Sequence, residues 1–188
     1  MKDKLHILAF AGSLRTDSYN RKVLKLAQEL LPEDISYEIF DLIEIPMFNV
    51  DVEKQGWPES VAAFREAIRN ADALFIACPE YNSSITGVLK NALDWASRGE
   101  KGKPNPLVKK PVAVVGVGER GGTARSQIVL KQVLNHLNMY VVNKPEVLIA
   151  LKPNNPFDEK GILQDEFAIK FIRDLLKNLI DFTLQLRK

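Results

Sequence analysis

Apolar residues fall along this chain in two alternating textures. Nearly continuous runs occur at Leu5–Ala11, Ala73–Cys78 and Val112–Val117, the texture of strands buried on both faces of a parallel sheet. Ser36–Phe40 reads as a further short strand, and Tyr140–Val142 with Val147–Ile149 as a fifth, interrupted around Pro145. Between these runs the apolar positions recur at helical spacing, as Val23, Leu24, Ala27, Leu30 and Leu31 do within Asn20–Leu31. The same spacing appears in Glu59–Ala71 and in Thr123–Met139, and it predicts further helices from about Gly87 to Arg98 and from Asp165 to Leu186. Pro46, Gly56 and Pro58 mark Ile43–Pro58 as a long irregular connection, and Pro153–Gly161 is rich in turn residues.

Strand and helix alternate five times, which predicts a five-stranded parallel sheet covered on both faces, a three-layer α/β/α sandwich. The strand order 2-1-3-4-5 is the leading topology for that count. With 188 residues, no internal repeat and no linker, the chain reads as one domain spanning 1–188.

That topology says where to look for chemistry. Ligands of open parallel sheets bind beyond the carboxyl ends of the strands where the order reverses, here between strands 1 and 3. Three loops meet there. The first, Gly12-Ser13-Leu14-Arg15-Thr16-Asp17-Ser18-Tyr19-Asn20, leads from a buried strand into a helix start, where unpaired N–H groups and the helix dipole favour an anion. Ser13, Thr16 and Ser18 add hydroxyl donors, and Arg15 adds a charged fork that suits a phosphate. Capping explains the hydroxyls equally well, but not Arg15.

The second loop, Pro79-Glu80-Tyr81-Asn82-Ser83-Ser84-Ile85-Thr86-Gly87, offers an aromatic ring and polar groups to a flat heteroaromatic ligand. The third, Gly118-Glu119-Arg120-Gly121-Gly122, lacks side chains at three positions and would let a planar ring approach the backbone. Gly116 to Gly121 also matches the spacing G-x-G-x-x-G. The acid expected about twenty residues later for a dinucleotide is missing, since Met139, Tyr140 and Val141 stand there, and the match follows strand 4 rather than strand 1.

Composition adds mostly exclusions. Hydrophobic residues at 46% and charged ones at 27% are those of a globular protein, and no apolar run approaches a membrane span. The net charge of +2 argues against a nucleic-acid partner, and the basic segment from Arg98 to Lys110, with Lys101, reads as a solvated loop. A single cysteine, Cys78, rules out an intrachain disulfide and a cysteine metal cluster, and is read as a small buried hydrophobe. His6 and His136 lack partners at metal spacing and are read as structural. Met1-Lys2-Asp3-Lys4 leads directly into the first strand without a cleavage signal, so a cytoplasmic protein is expected.

Taken together, Gly12-Ser13-Leu14-Arg15 with Ser18 and Asn20, then Pro79-Glu80-Tyr81-Asn82, then Gly87-Val88-Leu89-Lys90-Asn91-Ala92-Leu93-Asp94-Trp95, and finally Gly118–Gly122 resemble the NADPH-dependent FMN reductase family. Its members are flavodoxin-like proteins that include quinone, azo-dye and chromate reductases. The resemblance runs from about Ile7 to Leu148. It implies an FMN-dependent oxidoreductase that takes hydride from NADPH or NADH and passes electrons to a small-molecule acceptor in a ping-pong cycle.

It also implies that Ser13, Arg15, Ser18, Tyr19 and Asn20 surround the FMN phosphate. Pro79, Glu80, Tyr81, Asn82 and Ser83 would lie along the ring and ribityl chain, and Gly118, Gly121 and Gly122 would approach the ring. No residue is singled out as catalytic and no metal is expected. Relatives are commonly homodimers or homotetramers with the Gly87–Arg98 helix near the interface, which casts Trp95 as an interface aromatic. Two alternatives stand beside this reading. One is a flavodoxin-like electron carrier or flavin-binding regulatory protein without NAD(P)H turnover, against which Arg15 and the positive charge count. The other is an NAD-binding module built on Gly116–Gly121.

Overall fold

A computed structural model describes residues 4–99 and 102–187. Lys101, part of the basic segment, and Met1 to Asp3 lie outside the described residues. Five parallel strands, β1 (Leu5–Ala11), β2 (Ile35–Phe40), β3 (Ala73–Ala77), β4 (Pro111–Gly118) and β5 (Tyr140–Ala150), pair in the order β2-β1-β3-β4-β5. The expected topology is therefore the observed one. β1, β3 and β4 lie inside the sheet and are buried almost throughout, whereas edge strand β2 alternates between half-buried and exposed.

Alternate residues of the central strands feed two cores. Leu5, Ile7, Ala9 and Ala11 of β1 pack with α1 (Tyr19–Glu29) and α6 (Glu166–Leu186) on one face. Leu8 and Phe10 pack on the other face with α3 (Glu59–Asn70), α4 (Gly87–Ala96) and α5 (Ala124–His136). The α/β/α sandwich thus brings the N-termini of α1, α4 and α5 to the same sheet edge, because each follows the carboxyl end of an inner strand.

Two segments differ from expectation. The connection read as irregular contains a short helix, α2 (Val50–Gln55), whose start is fixed by the Asn49 side chain accepting from the Asp51 N–H at 2.8 Å. Its residues are not buried, so no apolar periodicity marked it. The fifth strand, expected in two pieces, is one strand whose register against β4 shifts between Ala113 and Val115. Pro145 has no N–H to donate, and an edge strand with a bulge accommodates it.

Trp95 is a correction. Its side chain is buried in its own chain, packed edge-on against Phe48 and Trp57, so it cannot serve as an exposed interface anchor. Its indole N–H donates to the Pro46 carbonyl at 2.8 Å, and Asn91 donates to the same oxygen at 2.8 Å. Asn91 also accepts from the Phe48 N–H at 2.7 Å. The paired amide and indole of α4 therefore clasp the connection after β2. Arg65 backs them, donating to the Trp95 and Ala96 carbonyls and stacking 4.2 Å from the Trp57 ring.

Candidate functional site

Loop 1 is positioned from beneath. The Gly12 N–H donates to the Ala77 carbonyl at 2.9 Å, and the Gly12 carbonyl accepts from the Thr86 hydroxyl at 2.7 Å. A side chain at Gly12 would stand 2.8 Å from Leu89 Cβ and 3.0 Å from Pro79 Cδ. Glycine is needed there by the packing of loops 1 and 2 against each other. Thr86, which sequence reasoning passed over, also caps α4 by accepting from the Leu89 N–H at 3.2 Å.

Beyond these contacts lies a cleft of about 510 Å³ of atom-free space, partly open to solvent. Ser13, Arg15, Ser18, Tyr19 and Asn20 line it from loop 1, Pro79, Glu80 and Tyr81 from loop 2, and Val117, Gly118, Glu119 and Leu151 from the β4 and β5 ends. Nine of these twelve positions come from the set suggested by the resemblance. The α1 N-terminus opens onto the cleft. Lys22 makes the first intrahelical bond, to the Ser18 carbonyl at 3.0 Å, so the N–H groups of Tyr19, Asn20 and Arg21 precede it. Ser18 is buried but its hydroxyl makes no capping bond, and the first turn holds no acid.

Every other described helix start is answered. Asn49, Thr86 and Asp165 cap α2, α4 and α6, Glu59 lies in the first turn of α3, and Glu80 reaches α5 from loop 2. Unanswered N–H groups, two buried hydroxyls and the exposed guanidinium of Arg15 make a donor set suited to a phosphate dianion.

Several residues expected around a ligand are occupied by their own chain. Asn20 is buried, and its amide donates to the Val117 carbonyl at 2.9 Å while accepting from the Val117 N–H at 3.0 Å. It ties α1 to the end of β4 and shapes the cleft wall. Glu80 turns its carboxylate onto the α5 start, where the N–H groups of Arg125 and Ser126 each donate to it at 3.0 Å. Asn82 and Ser83 lie outside the cleft lining, as does Thr16. With φ of 51° and 62° the pair forms the tip of a tight turn closed by reciprocal 3.0 Å bonds between Tyr81 and Ser84, a conformation asparagine tolerates well.

The third loop holds its glycines for two reasons. A side chain at Gly118 would stand 2.0 Å from the Gly122 carbonyl oxygen, and one at Gly122, whose φ is +58°, would stand 2.9 Å from the Leu148 backbone. Both are required by the fold. Gly121 meets nothing within 4 Å. With Gly122 it lines a second hollow, shared with Glu80 and Glu119, rather than the cleft itself. The G-x-G-x-x-G match is explained in the same way, since a side chain at Gly116 would overlap Thr123. The helix start behind it already holds the Glu80 carboxylate, so the N–H groups a pyrophosphate would use are taken.

Cys78 is fully buried at the end of β3, and burial pushes its thiol up to about 12. It is a poor nucleophile in the folded chain. His6 faces Ser36 at 3.1 Å and Glu38 at 3.5 Å on the β1–β2 edge, near the start of β1 and so at the other end of the strand from loop 1. No group of three metal-ligating side chains occurs among the described residues, and no described helix is long and apolar enough to cross a membrane.

A parallel sheet of this strand order, with a cleft at its topological switch point, defines a flavodoxin-like fold. The chain belongs to the NADPH-dependent FMN reductase family, a family of oxidoreductases, whose sequence profile matches residues 5–154. It is 45% identical over 188 residues to an NAD(P)H-dependent FMN reductase of Pseudomonas aeruginosa, with all of both chains covered. It is 38% identical over 192 residues to an NADPH:quinone oxidoreductase of Arabidopsis thaliana, covering 100% of this chain and 96% of that protein. Among solved structures it is similar to the flavoenzyme NAD(P)H:(acceptor) oxidoreductase FerB of Paracoccus denitrificans. That match has a TM-score of 0.83 and 30% identity, and covers 96% of this chain and 98% of the other.

Proposed function

We propose that this chain binds FMN in the cleft and reduces quinones and related acceptors at the expense of NADPH or NADH. The observation that carries the proposal is the α1 start, left without cap or acid and facing a cleft lined by Ser13, Arg15 and Ser18. It supports one compact phosphate site of FMN size at a helix start. Bound FMN supplies hydride acceptance and onward electron transfer.

The residues of the chain bind and orient. Arg15 and the α1 N–H groups neutralise the phosphate, Pro79 and Tyr81 wall the ring side, and Glu119 is held at the rim by Lys152 at 2.7 Å. Of the two carboxylates that line the cleft, Glu80 is engaged by the α5 start and Glu119 by Lys152. Nucleotide and acceptor then take turns in one opening, which makes the kinetics ping-pong. Azo compounds, free flavin and metal oxyanions are further acceptors for so open a site.

The protein is also proposed to be a homodimer or homotetramer. With Trp95 internal, the exposed Ile43, Met47 and Val50 on the segment clasped to α4 are the apolar surface that supports self-association. Sedimentation showing only a 21.2 kDa species would contradict this.

Chromatography of flavin released from the purified protein, with turnover assays on a quinone, tests the main proposal. Stoichiometric FMN and parallel double-reciprocal plots are expected. Recovery of FAD, absence of flavin, or intersecting plots would contradict it.

A further inference from the structure

We propose that Asn155 and Phe157, on the segment between β5 and α6, are positioning residues for the phosphate end of the cleft and act through Tyr19. This inference rests on the cleft being the flavin site and adds what keeps its open helix start in shape. Neither residue belongs to the three loops, and neither lines the cleft.

A helix start without a cap frays. α1 has no capping bond and no acid in its first turn, yet its N–H groups can hold a phosphate only if they keep one direction. Anchors on the first turn take the place of a cap. Asn20 supplies one in the interior, bound to Val117 of β4. Tyr19, the first residue of the helix, supplies the other nearer the surface. Its ring packs 4.3 Å from that of Phe157 at an angle of 33°, and its hydroxyl accepts from the Asn155 amide at 3.1 Å. The Lys22 ammonium stands 5.3 Å from the same ring. Donors held in place before the ligand arrives cost less to order on binding.

The segment that grips Tyr19 is itself fixed. Leu151, which lines the cleft, donates its N–H to the Gly118 carbonyl at 2.8 Å. Phe157 is buried and pairs with Leu163 in a short antiparallel bridge, and Asp158 accepts from the Lys160 and Ile162 N–H groups at 2.9 and 2.8 Å. Asn155 accepts from the Phe157 N–H at 3.1 Å and spends its amide donor on Tyr19, 136 residues away. Asn155 is exposed, so that long-range bond adds nothing to the core. What it fixes is a residue of the cleft wall.

The test titrates FMN and riboflavin into full-length protein stripped of flavin, comparing the parent with Asn155→Ala, Tyr19→Phe, the double variant and Phe157→Leu. Asn155→Ala and Tyr19→Phe should each weaken FMN about two- to fivefold, the share of one ordinary hydrogen bond. Riboflavin, which has no phosphate, should bind all of the proteins alike. The double variant should be no weaker than the worse single one, because both changes remove the same bond. Phe157→Leu keeps an apolar side chain in the core but removes the ring, and should also weaken FMN alone. Unchanged FMN affinity in Asn155→Ala and Phe157→Leu would overturn the inference. So would equal losses of FMN and riboflavin, since the segment would then support the cleft as a whole. A parent that binds neither flavin would count against the flavin site itself, and the inference would fall with it.

Discussion

Two helices start at the same sheet edge in this molecule and meet opposite fates. α1 follows β1 and α5 follows β4, and each begins with N–H groups that no earlier turn can satisfy. At α5 the chain answers them itself, since Glu80 crosses from loop 2 and accepts from Arg125 and Ser126. At α1 no described side chain does so, and Ser13, Ser18 and Arg15 stand beside it as donors. A helix start closed by its own carboxylate is structure, and one ringed with hydroxyls and an arginine is a place for an external anion. The glycine-spaced motif sits at the closed start, and loop 1 at the open one.

The contrast can be broken experimentally. The largest effect is expected from Asn20→Ala, which strips the Val117 N–H and carbonyl of their buried partner and unpins α1 from β4. Leaving two buried groups unsatisfied should cost about 2–4 kcal/mol in urea unfolding. A loss below about 0.5 kcal/mol would show that water replaces the amide.

Next comes Arg15→Ala, which leaves the fold intact because Arg15 is exposed. Loss of one charge-assisted bond, about 1.5–3 kcal/mol, should weaken FMN roughly ten- to a hundredfold. Riboflavin, which has no phosphate, should bind equally well to both proteins in the same fluorescence titration. Glu80→Ala should then cost about 1 kcal/mol of stability by uncapping α5. It should also make the two helix starts alike, so that inorganic phosphate stabilises this variant against heat more than the parent. Equal phosphate stabilisation would mean that Glu80 is not what closes α5.

The smallest effect concerns Cys78, which burial, chiefly, and the Glu80 charge hold in its neutral form. Its pKa in the folded chain, about 12, exceeds the ordinary value of 9.0, so the folded protein holds the proton more tightly than the unfolded chain. The resulting stabilisation is full below pH 9 and is lost as the pH rises toward 12. Native protein at pH 8 should resist alkylation that goes to completion in urea, and rapid native alkylation would contradict the burial.

The fold was legible because buried parallel strands write themselves as unbroken apolar runs, and Leu5–Ala11 and Ala73–Ala77 are buried throughout or nearly so. α2 was not legible, since a six-residue helix with no buried face leaves no periodic trace. At the site, Ser13, Arg15 and Ser18 could be read from their place after a buried strand. The engagements of Asn20 and Glu80 could not, because their partners lie 97 and about 45 residues away in sequence. Asn82 is ambiguous for a related reason, as a ligand contact and a left-handed turn residue look alike in a sequence. Glycines carry the same ambiguity. Only the neighbours of Gly118, Gly121 and Gly122 separate those the fold requires from the one it does not.

A crystal structure of the FMN complex shows most directly where the phosphate settles. The phosphate oxygens should lie within hydrogen-bonding reach of the Ser13 and Ser18 hydroxyls, the Arg15 guanidinium and the first N–H groups of α1, with Glu80 still seated on α5. A phosphate found at the α5 start with Glu80 displaced, or a flavin bound with its phosphate in solvent away from Arg15, would contradict that placement.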